Sequence, residues 1–404
     1  MRERMRPLSI LFVTVRFPLP LRTGDRARAY HQIRLLATRH RLTLVTFLDE
    51  APSAREARAE IERLGVRVVS VPFRRRAAAW RLLRGLPSSM PLQVALFDAP
   101  ELREAIRTLA VPGRFDLVHV QLARAIPLLP PDLALPVVAD LVDALSLNMA
   151  RRAARDRGWA RWAAALDARR LRAYERAICG RVHAAAVVSA ADRDAIDEGP
   201  LAIVPNGVDL GEFPYVADDR PPATLIFTGN LGYFPNVDAA SWFAREVLPR
   251  VAASRPDVRL RIVGARPHRR IRALAADPHI EVAGDVADMH AALAGATLAV
   301  TPMFTGSGQL LKVLEAMASG TPVVANARGL NGIDAGAGVH ATIAEDPEAF
   351  AAAILALLAH PARARAQAAA ARTLVETQYT WERSTALLEE LYASAVPLAA
   401  AHCG

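Results

Sequence analysis

The residues best suited to chemistry lie in one stretch, Thr301-Pro-Met-Phe-Thr-Gly-Ser-Gly-Gln-Leu-Leu-Lys-Val-Leu-Glu-Ala-Met-Ala-Ser-Gly-Thr-Pro-Val-Val324. Its order predicts a strand ending at Thr301, a glycine-containing turn, and a helix starting near Gln309. Gly306 and Gly308 let backbone N–H groups approach an anion closely, and the positive end of the helix dipole adds attraction. Lys312 lies one turn into that helix and is the only lysine in a chain with 50 Lys and Arg. An ammonium group therefore stands beside a candidate phosphate site. Glu315 follows on the same face, where a carboxylate can accept two hydrogen bonds from ribose hydroxyls. Gly320 ends the helix and Pro322 opens the next strand. An ordinary strand–loop–helix with a surface Lys–Glu pair uses the same residue types, so spacing alone leaves both readings open.

Other candidates are more scattered. His119 stands near the end of a strand expected over Asp116–Val120, where it is either a reactive group or a hydrogen-bonded, half-buried histidine. Gly24 and Asp25 separate the first strand from the first helix. A glycine there lets backbone approach a phosphate, and Asp25 is an N-cap candidate. Asp140 and Asp143, at another strand end, would either position a second substrate or form a solvated pair. Asn206, Gly207 and Asp209 read as turn structure, with Gly207 free to take a positive φ. Two stretches are basic and amphipathic: Arg151 to Trp162, continuing to Arg176, and Arg74 to Arg76 with Trp80 and Arg81. Such stretches dock on anionic bilayers or are solvated helix faces.

The elements around these residues alternate between short apolar strands and helices. Strands are expected at Ile10–Val15, Leu42–Phe47, Val66–Val71, Asp116–Val120, Val137–Leu141 and Val182–Ser189. Ala29, Ile33 and Leu36 fall on one face of the first helix, and Ser53–Leu64 also reads as helix. Residues 206–222 are loop chemistry and mark the main boundary. A second alternation follows. Its strands are Thr224–Thr228, Val258–Val263, Ile280–Ala283, Thr297–Thr301 and Pro322–Ala325. Its helices are Asp238–Val251, one around Met289, Pro347–His360, Pro361–Thr377 and Trp381–Ala399. The fold class is α/β: two doubly wound, Rossmann-like domains with parallel sheets, 1–205 and 206–379. The final helix, within 380–400, is placed to pack back on the first domain. Ligands of such sheets bind beyond the carboxyl ends of the strands, so two facing halves would share a cleft.

Composition bounds the rest. With 404 residues, 52% of them hydrophobic and 23% charged, the chain is too large for one small core and too apolar for wholesale disorder. Its net charge of +9 suits an anionic partner, although the excess is almost entirely arginine. Two cysteines, Cys179 and Cys403, support neither a disulfide framework nor a zinc site and fit a reducing compartment. No apolar run approaches the ~20 residues of a membrane helix. The segment Met1–Gly24 imitates a signal peptide, with Arg2, Arg4 and Arg6 before Leu8–Val15. Arg16, Pro18, Pro20 and Arg22 then occupy the place of a cleavage site, so a buried first strand and a cytoplasmic protein are expected. Zinc-finger spacing and RNP-type aromatics are missing, which argues against nucleic acid. A dinucleotide fingerprint also fails, for lack of a third glycine.

The stretch from Gly306 to Val324 resembles the donor-nucleotide signature of GT-B glycosyltransferases, in the large retaining family four of that class. There G-x-G-x-x-x-K leads into L-E-A-M-A-x-G-x-P-V-V, matched here by Gly306, Gly308, Lys312, Leu314 to Ala318, Gly320 and Pro322 to Val324. The resemblance continues through Phe12 to Pro18 with Gly24 to Arg26, Val204 to Asp209, Thr228 to Asp238 and Ile262 to Pro267. More narrowly, the chain is similar to bacterial sugar transferases of exopolysaccharide clusters.

The resemblance implies roles for individual residues. Glu315 would hold the donor ribose. Gly306, Ser307, Gly308, Gln309, Leu310, Leu311, Gly229 and Asn230 would line the donor site. Lys312 would stabilise the leaving diphosphate, and His119 would face the donor sugar; Arg266, after the strand ending at Val263, is the candidate for the further charge, because the family's usual Arg and Lys are missing here. By their own placement rather than by the resemblance, Gly24, Asp25, Asp140 and Asp143 are candidates for the acceptor side or a phosphate, beside the capping and solvated-pair readings given above. Three departures stand out: Ser307 replaces the first glutamate of the E-x7-E motif, Leu310 replaces an arginine, and Asn230 and Asn236 stand near the places of an Arg and a Lys. The expected activity is hexosyl transfer from a UDP- or GDP-sugar to a glycan or lipid-linked acceptor, with retention. Front-face displacement without a metal or other cofactor, and closure of the halves to exclude water, complete the expectation. The expected protein is cytoplasmic, and its basic, tryptophan-bearing stretches leave peripheral attachment to an anionic membrane surface open beside the solvated-face reading. Alternatives are a nucleotide-sugar epimerase or phosphorylase of the same fold, or a non-catalytic nucleotide-sugar-binding subunit.

Overall fold

The structure is a computed structural model that describes residues 6–49, 51–85, 88–197, 199–217 and 220–396. Arg2, Arg4, Cys403 and the end of the expected Trp381–Ala399 helix lie outside the described residues. The chain divides into two units, Met1–Pro205 with Ser384–Gly404, and Asn206–Arg383.

The first unit is built on seven strands: β1 Ser9–Thr14, β2 Arg41–Phe47, β3 Arg67–Val71, β4 Leu117–Gln121, β5 Val137–Val142, β6 Ala184–Val187 and β7 Leu201–Ile203. Their order is β3-β2-β1-β4-β5-β6-β7, and every pairing is parallel. Parallel strands buried on both faces need continuous apolar sequence, and Ile10 to Val13 have no exposed surface. Alternate side chains serve opposite faces. Leu11 and Val13 join one apolar cluster with Leu102 and Ile106. Ile10 and Phe12 join another with Ala29, Ile33 and Leu36 of helix Gly24–Leu36. The helix Trp381–Ala395 adds Leu388 and Tyr392 to that second cluster.

The second unit has six strands: β8 Thr224–Thr228, β9 Arg259–Val263, β10 Ile280–Gly284, β11 Leu298–Thr301, β12 Val323–Ala325 and β13 Thr342–Ile343. The order is β10-β9-β8-β11-β12-β13, again parallel throughout. Phe227 and Ile226 point into the two opposite clusters.

Several expectations shift. β7 and β13 go unseen in the sequence because three and two residues are too few to show a period. The helix expected at Asp238 starts at Phe234, with Pro235 in its first turn, where a missing N–H costs nothing. β4 runs one residue later than expected. Asp116 sits outside it and accepts from the Ser9 amide at 2.7 Å, pinning the start of β1. No helix among the described residues is long and apolar enough to cross a membrane.

Candidate functional site

In the second unit the central strands end in backbone rather than side chains. Gly229 follows β8 and Gly264 follows β9, at φ +144° and +149°. A Cβ on Gly264 would fall 1.7 Å from the Gly229 carbonyl oxygen, and one on Gly229 would fall 3.2 Å from Lys312 Nζ. Only glycine lets these strand ends come so close beside the lysine.

The loop from Pro302 to Leu310 joins β11 to helix Leu311–Ala318. Gly306 and Gly308 adopt φ +102° and +73°. No side chain caps the helix, so its first amides and the positive end of its dipole face the loop. The segment after β12 fixes the loop. Asn326 donates to the Met303 carbonyl at 2.6 Å and accepts from the Met303 amide at 3.0 Å. Arg328 donates to the Phe304 carbonyl, and Asn331 to the Gly308 carbonyl at 2.8 Å. Gln309 is buried. Its side chain donates to the Gly332 carbonyl at 2.8 Å and accepts from the Asn206 amide at 2.6 Å. The Gln309 side chain therefore staples loops together, while Leu310 and Leu311 pack against the apolar clusters.

Lys312 and Glu315 are half-buried, with their ionisable ends surrounded by protein. Lys312 Nζ donates to Asn236 Oδ1 at 2.8 Å, lies 3.8 Å from Met303 Sδ and sits 4.3 Å from the centre of the Phe227 ring. Among the described residues it forms no ion pair. Burial pulls its pKa down to about 7, with the Glu315 charge opposing the fall. Burial likewise pushes Glu315 up to about 7, opposed by Lys312 and reinforced by Glu212. A cation and an anion, each short of a countercharge, thus stand one turn apart at an uncapped helix start. They are poised to bind an anion and a pair of hydroxyls.

The neighbouring loops complete this edge. Asn230 accepts from the Gly232 amide at 3.1 Å through its side chain and from Asn236 Nδ2 at 3.0 Å through its carbonyl. Arg266 follows β9, is exposed, and is held at φ +56°, unusual for a residue with a Cβ. Ser307 sits in the glycine loop, half-buried. Among the described residues no group of three His, Cys, Asp or Glu is placed to hold a metal ion.

The first unit corrects two expectations. His119 is the middle residue of β4 and has no exposed surface. It stacks on Phe12 at 4.2 Å, and its Nδ1 lies 2.9 Å from the Tyr392 hydroxyl. Burial lowers its pKa to about 4, so it is a neutral residue of the first unit's core, and its Nε2 has no hydrogen-bond partner among the described residues. Asp140 is not an open strand-end carboxylate either. With no exposed surface, it accepts from Arg28 at 2.6 and 3.1 Å and from Gln32 at 3.0 Å. Burial would raise its pKa, but the Arg28 guanidinium and Gln32 hold it below the ordinary carboxylate value.

Asp143 follows β5, half-buried, after Val142 at φ +67°. Gly24 opens the first helix, preceded by Thr23, so Asp25 lies in the first turn rather than at the N-cap. Burial would raise the Asp25 pKa, but Arg16 at 3.0 Å, Thr23 and Arg124 hold it below the ordinary value. Gly207 serves its turn without a positive φ. A Cβ there would fall 2.2 Å from the Trp381 nitrogen, so close backbone contact is what demands glycine.

Sequence reasoning missed Asn326, Arg328 and Asn331, which scaffold the glycine loop. The signal was the polar, glycine-bearing run Asn326-Ala-Arg-Gly-Leu-Asn-Gly332 directly after a strand.

Known proteins share this architecture. Residues 222–360 match the family model described as Glycosyl transferases group 1. No curated protein matches the sequence. Among solved structures, HepE of Anabaena in complex with UDP and glucose aligns at 15% identity and a TM-score of 0.65, over 96% of this chain and 100% of that one. Sucrose-phosphate synthase from Thermosynechococcus elongatus aligns at 17% and 0.69, over 96% and 98% of the two chains. TarM, from S. aureus, aligns at 11% and 0.71, over 95% and 98%. At these identities the likeness shows the fold, two Rossmann-like units of the GT-B glycosyltransferase class.

Proposed function

We propose that the chain is a glycosyltransferase that moves a hexosyl group from a nucleoside-diphosphate sugar to a hydroxyl of a glycan or lipid-linked acceptor, with retention. The observation carrying this reading is the pair Lys312 and Glu315, each without a direct countercharge, at the uncapped helix after the glycine loop. The matching family model and the UDP complexes of HepE support it.

In this reading the diphosphate rests against the amides of Gly306 to Gly308, with Lys312 and Arg266 supplying positive charge. The Gly229–Gly264 backbone gives it room. Glu315 accepts hydrogen bonds from the ribose hydroxyls. The bond between the anomeric carbon and the diphosphate oxygen breaks, and the acceptor hydroxyl oxygen bonds to that carbon from the same face. The acceptor proton passes to the departing phosphate oxygen. The protein supplies fixed positive potential where the leaving group gains charge, without a metal or other cofactor. Ser307 and Leu310 remove two side chains the related signature carries, so the sugar's hydroxyls and the diphosphate rely on neighbouring groups. We place the enzyme in the cytoplasm, in cell-surface or exopolysaccharide synthesis.

Calorimetric titration with UDP, GDP and their sugars tests this, followed by transfer assays in the presence of EDTA. Binding by the native chain and loss of turnover by about 100- to 1,000-fold in Lys312→Ala are expected. Absence of nucleotide binding, or native turnover in both Lys312→Ala and Glu315→Ala, rejects the assignment. Tight binding without transfer to a range of acceptors would indicate a binding subunit. Donor conversion without any acceptor would indicate an epimerase.

A further inference from the structure

Three of the chain's five tryptophans lie on the outside of the first unit. Trp80, Trp159 and Trp162 are 67%, 83% and 78% exposed, and Leu83 and Leu166 are 58% and 50% exposed. Trp381 is buried, and Trp242 packs edge-on against Phe304 and Phe350. Exposing an indole forfeits a large apolar contribution, so three on one unit, two of them on one helix, call for a partner.

Their placement is ordered. Helix Gly158–Cys179 puts Trp159, Trp162, Leu166, Ala173 and Ala177 on one face at helical spacing. The same face continues into a groove of about 640 Å³ whose lining includes Met90, Leu166, Ala173 and Ala177. Arginines flank it. Between Arg151 and Arg176 the sequence holds nine arginines and three acidic residues. None of the three acids offsets the surface charge freely. Asp156 pairs with Arg152 at 3.0 Å, Asp167 accepts from Gln93 at 3.2 Å, and Glu175 has no exposed surface. Arg157, Arg161, Arg169 and Arg172 are exposed. Helix Arg75–Gly85 repeats the pattern, with Trp80 and Leu83 among exposed Arg74, Arg75, Arg76 and Arg84 and no acidic residue.

We infer that this face docks on an anionic lipid bilayer, its indoles seated among the headgroups and its arginines on lipid phosphates. Indoles favour the membrane–water interface, and guanidinium groups are drawn to anionic leaflets. The charge selects this occupant. A second copy of the chain would set arginine against arginine, whereas an anionic surface neutralises every exposed guanidinium. Nucleic acid would satisfy the charge and leave the exposed indoles, Leu83 and Leu166 uncovered. The inference stands apart from sugar transfer, and its test uses no sugar nucleotide.

The full chain is floated with vesicles of phosphatidylcholine alone and of phosphatidylcholine with about 30% phosphatidylglycerol. Binding at least tenfold tighter to the anionic vesicles is expected, with a blue shift of tryptophan emission. The double change Trp159→Ser with Trp162→Ser should weaken binding at least tenfold. Changing Arg157, Arg161 and Arg169 to alanine should cost about fivefold per charge. Both variants should keep the native circular dichroism and urea midpoint. Equal or no binding to the two vesicle types overturns the inference, as does full binding by the tryptophan variant. So does a dimer that the variant abolishes, or an oligonucleotide bound as tightly as the vesicles.

Discussion

Two cation–anion pairs, Arg28 with Asp140 in the first unit and Lys312 with Glu315 in the second, are in opposite states. Arg28 and Asp140 are both fully buried and satisfy each other at 2.6 Å, with Gln32 taking a further bond. Lys312 and Glu315 are half-buried; the lysine meets the neutral groups Asn236, Met303 and Phe227, and Glu315 feels Lys312 one turn away and the like charge of Glu212. The first pair is a closed structural joint that also reaches the Pro205 carbonyl through Arg28. The second leaves both charges short of compensation, which is why both pKa values move towards neutrality. Position at a sheet edge does not make a site; an unfinished set of partners does.

The sharpest way to break this comparison is stability. Asp140→Ala takes from the buried Arg28 guanidinium the carboxylate it donates to and should cost about 3–5 kcal/mol in urea unfolding. Lys312→Met removes a desolvated charge that has no ion pair and should cost nothing measurable or stabilise slightly. Equal losses would erase the distinction.

His119 gives the next largest effect. It is neutral when folded, with a pKa of about 4 against an ordinary 6.5. Between those values the unfolded chain binds more protons, so stability falls as pH drops from 6.5 towards 4 and is fully present above 6.5. The loss is on the order of 3 kcal/mol. His119→Phe should flatten that part of a stability–pH curve and leave turnover within a few-fold of native.

Nucleotide binding should follow the other pair. Lys312 must be charged to meet a diphosphate and loses its proton above about 7, while Glu315 must be charged to accept from ribose and gains one below about 7. Affinity should peak near neutrality and fall about tenfold per pH unit on the alkaline side. Lys312→Arg should abolish the alkaline limb. Calorimetry in buffers of different ionisation heat should show proton uptake on binding above pH 7.

The smallest effect belongs to Arg266, whose φ of +56° favours glycine. Arg266→Gly should stabilise the unit by up to about 1 kcal/mol while weakening diphosphate binding. A change of the same sign in both measurements would deny the arginine its role.

Legibility in the sequence divided along the same line. The strands Thr224–Thr228 and Ile280–Gly284, the glycine loop and the Lys312–Glu315 spacing could be read because they depend on neighbours within a few residues. His119 and Asp140 were misplaced because their surroundings come from afar. Tyr392 lies 273 residues from His119, and Arg28 lies 112 residues from Asp140. A one-residue shift of β4 also moved His119 from the strand's end to its middle. The loop scaffold from Asn326 to Gly332 escaped notice because side-chain bonds to a distant backbone leave no periodic trace.

The isolation of Lys312 has a practical side. The sequence offers one side-chain amine, and desolvation leaves about half of it unprotonated near pH 7. An acylating or reductively alkylating reagent at neutral pH would therefore find a single nucleophilic lysine, beside the glycine loop. That amine is a built-in handle for a covalent label, and whatever binds at the glycine loop should shield it from modification.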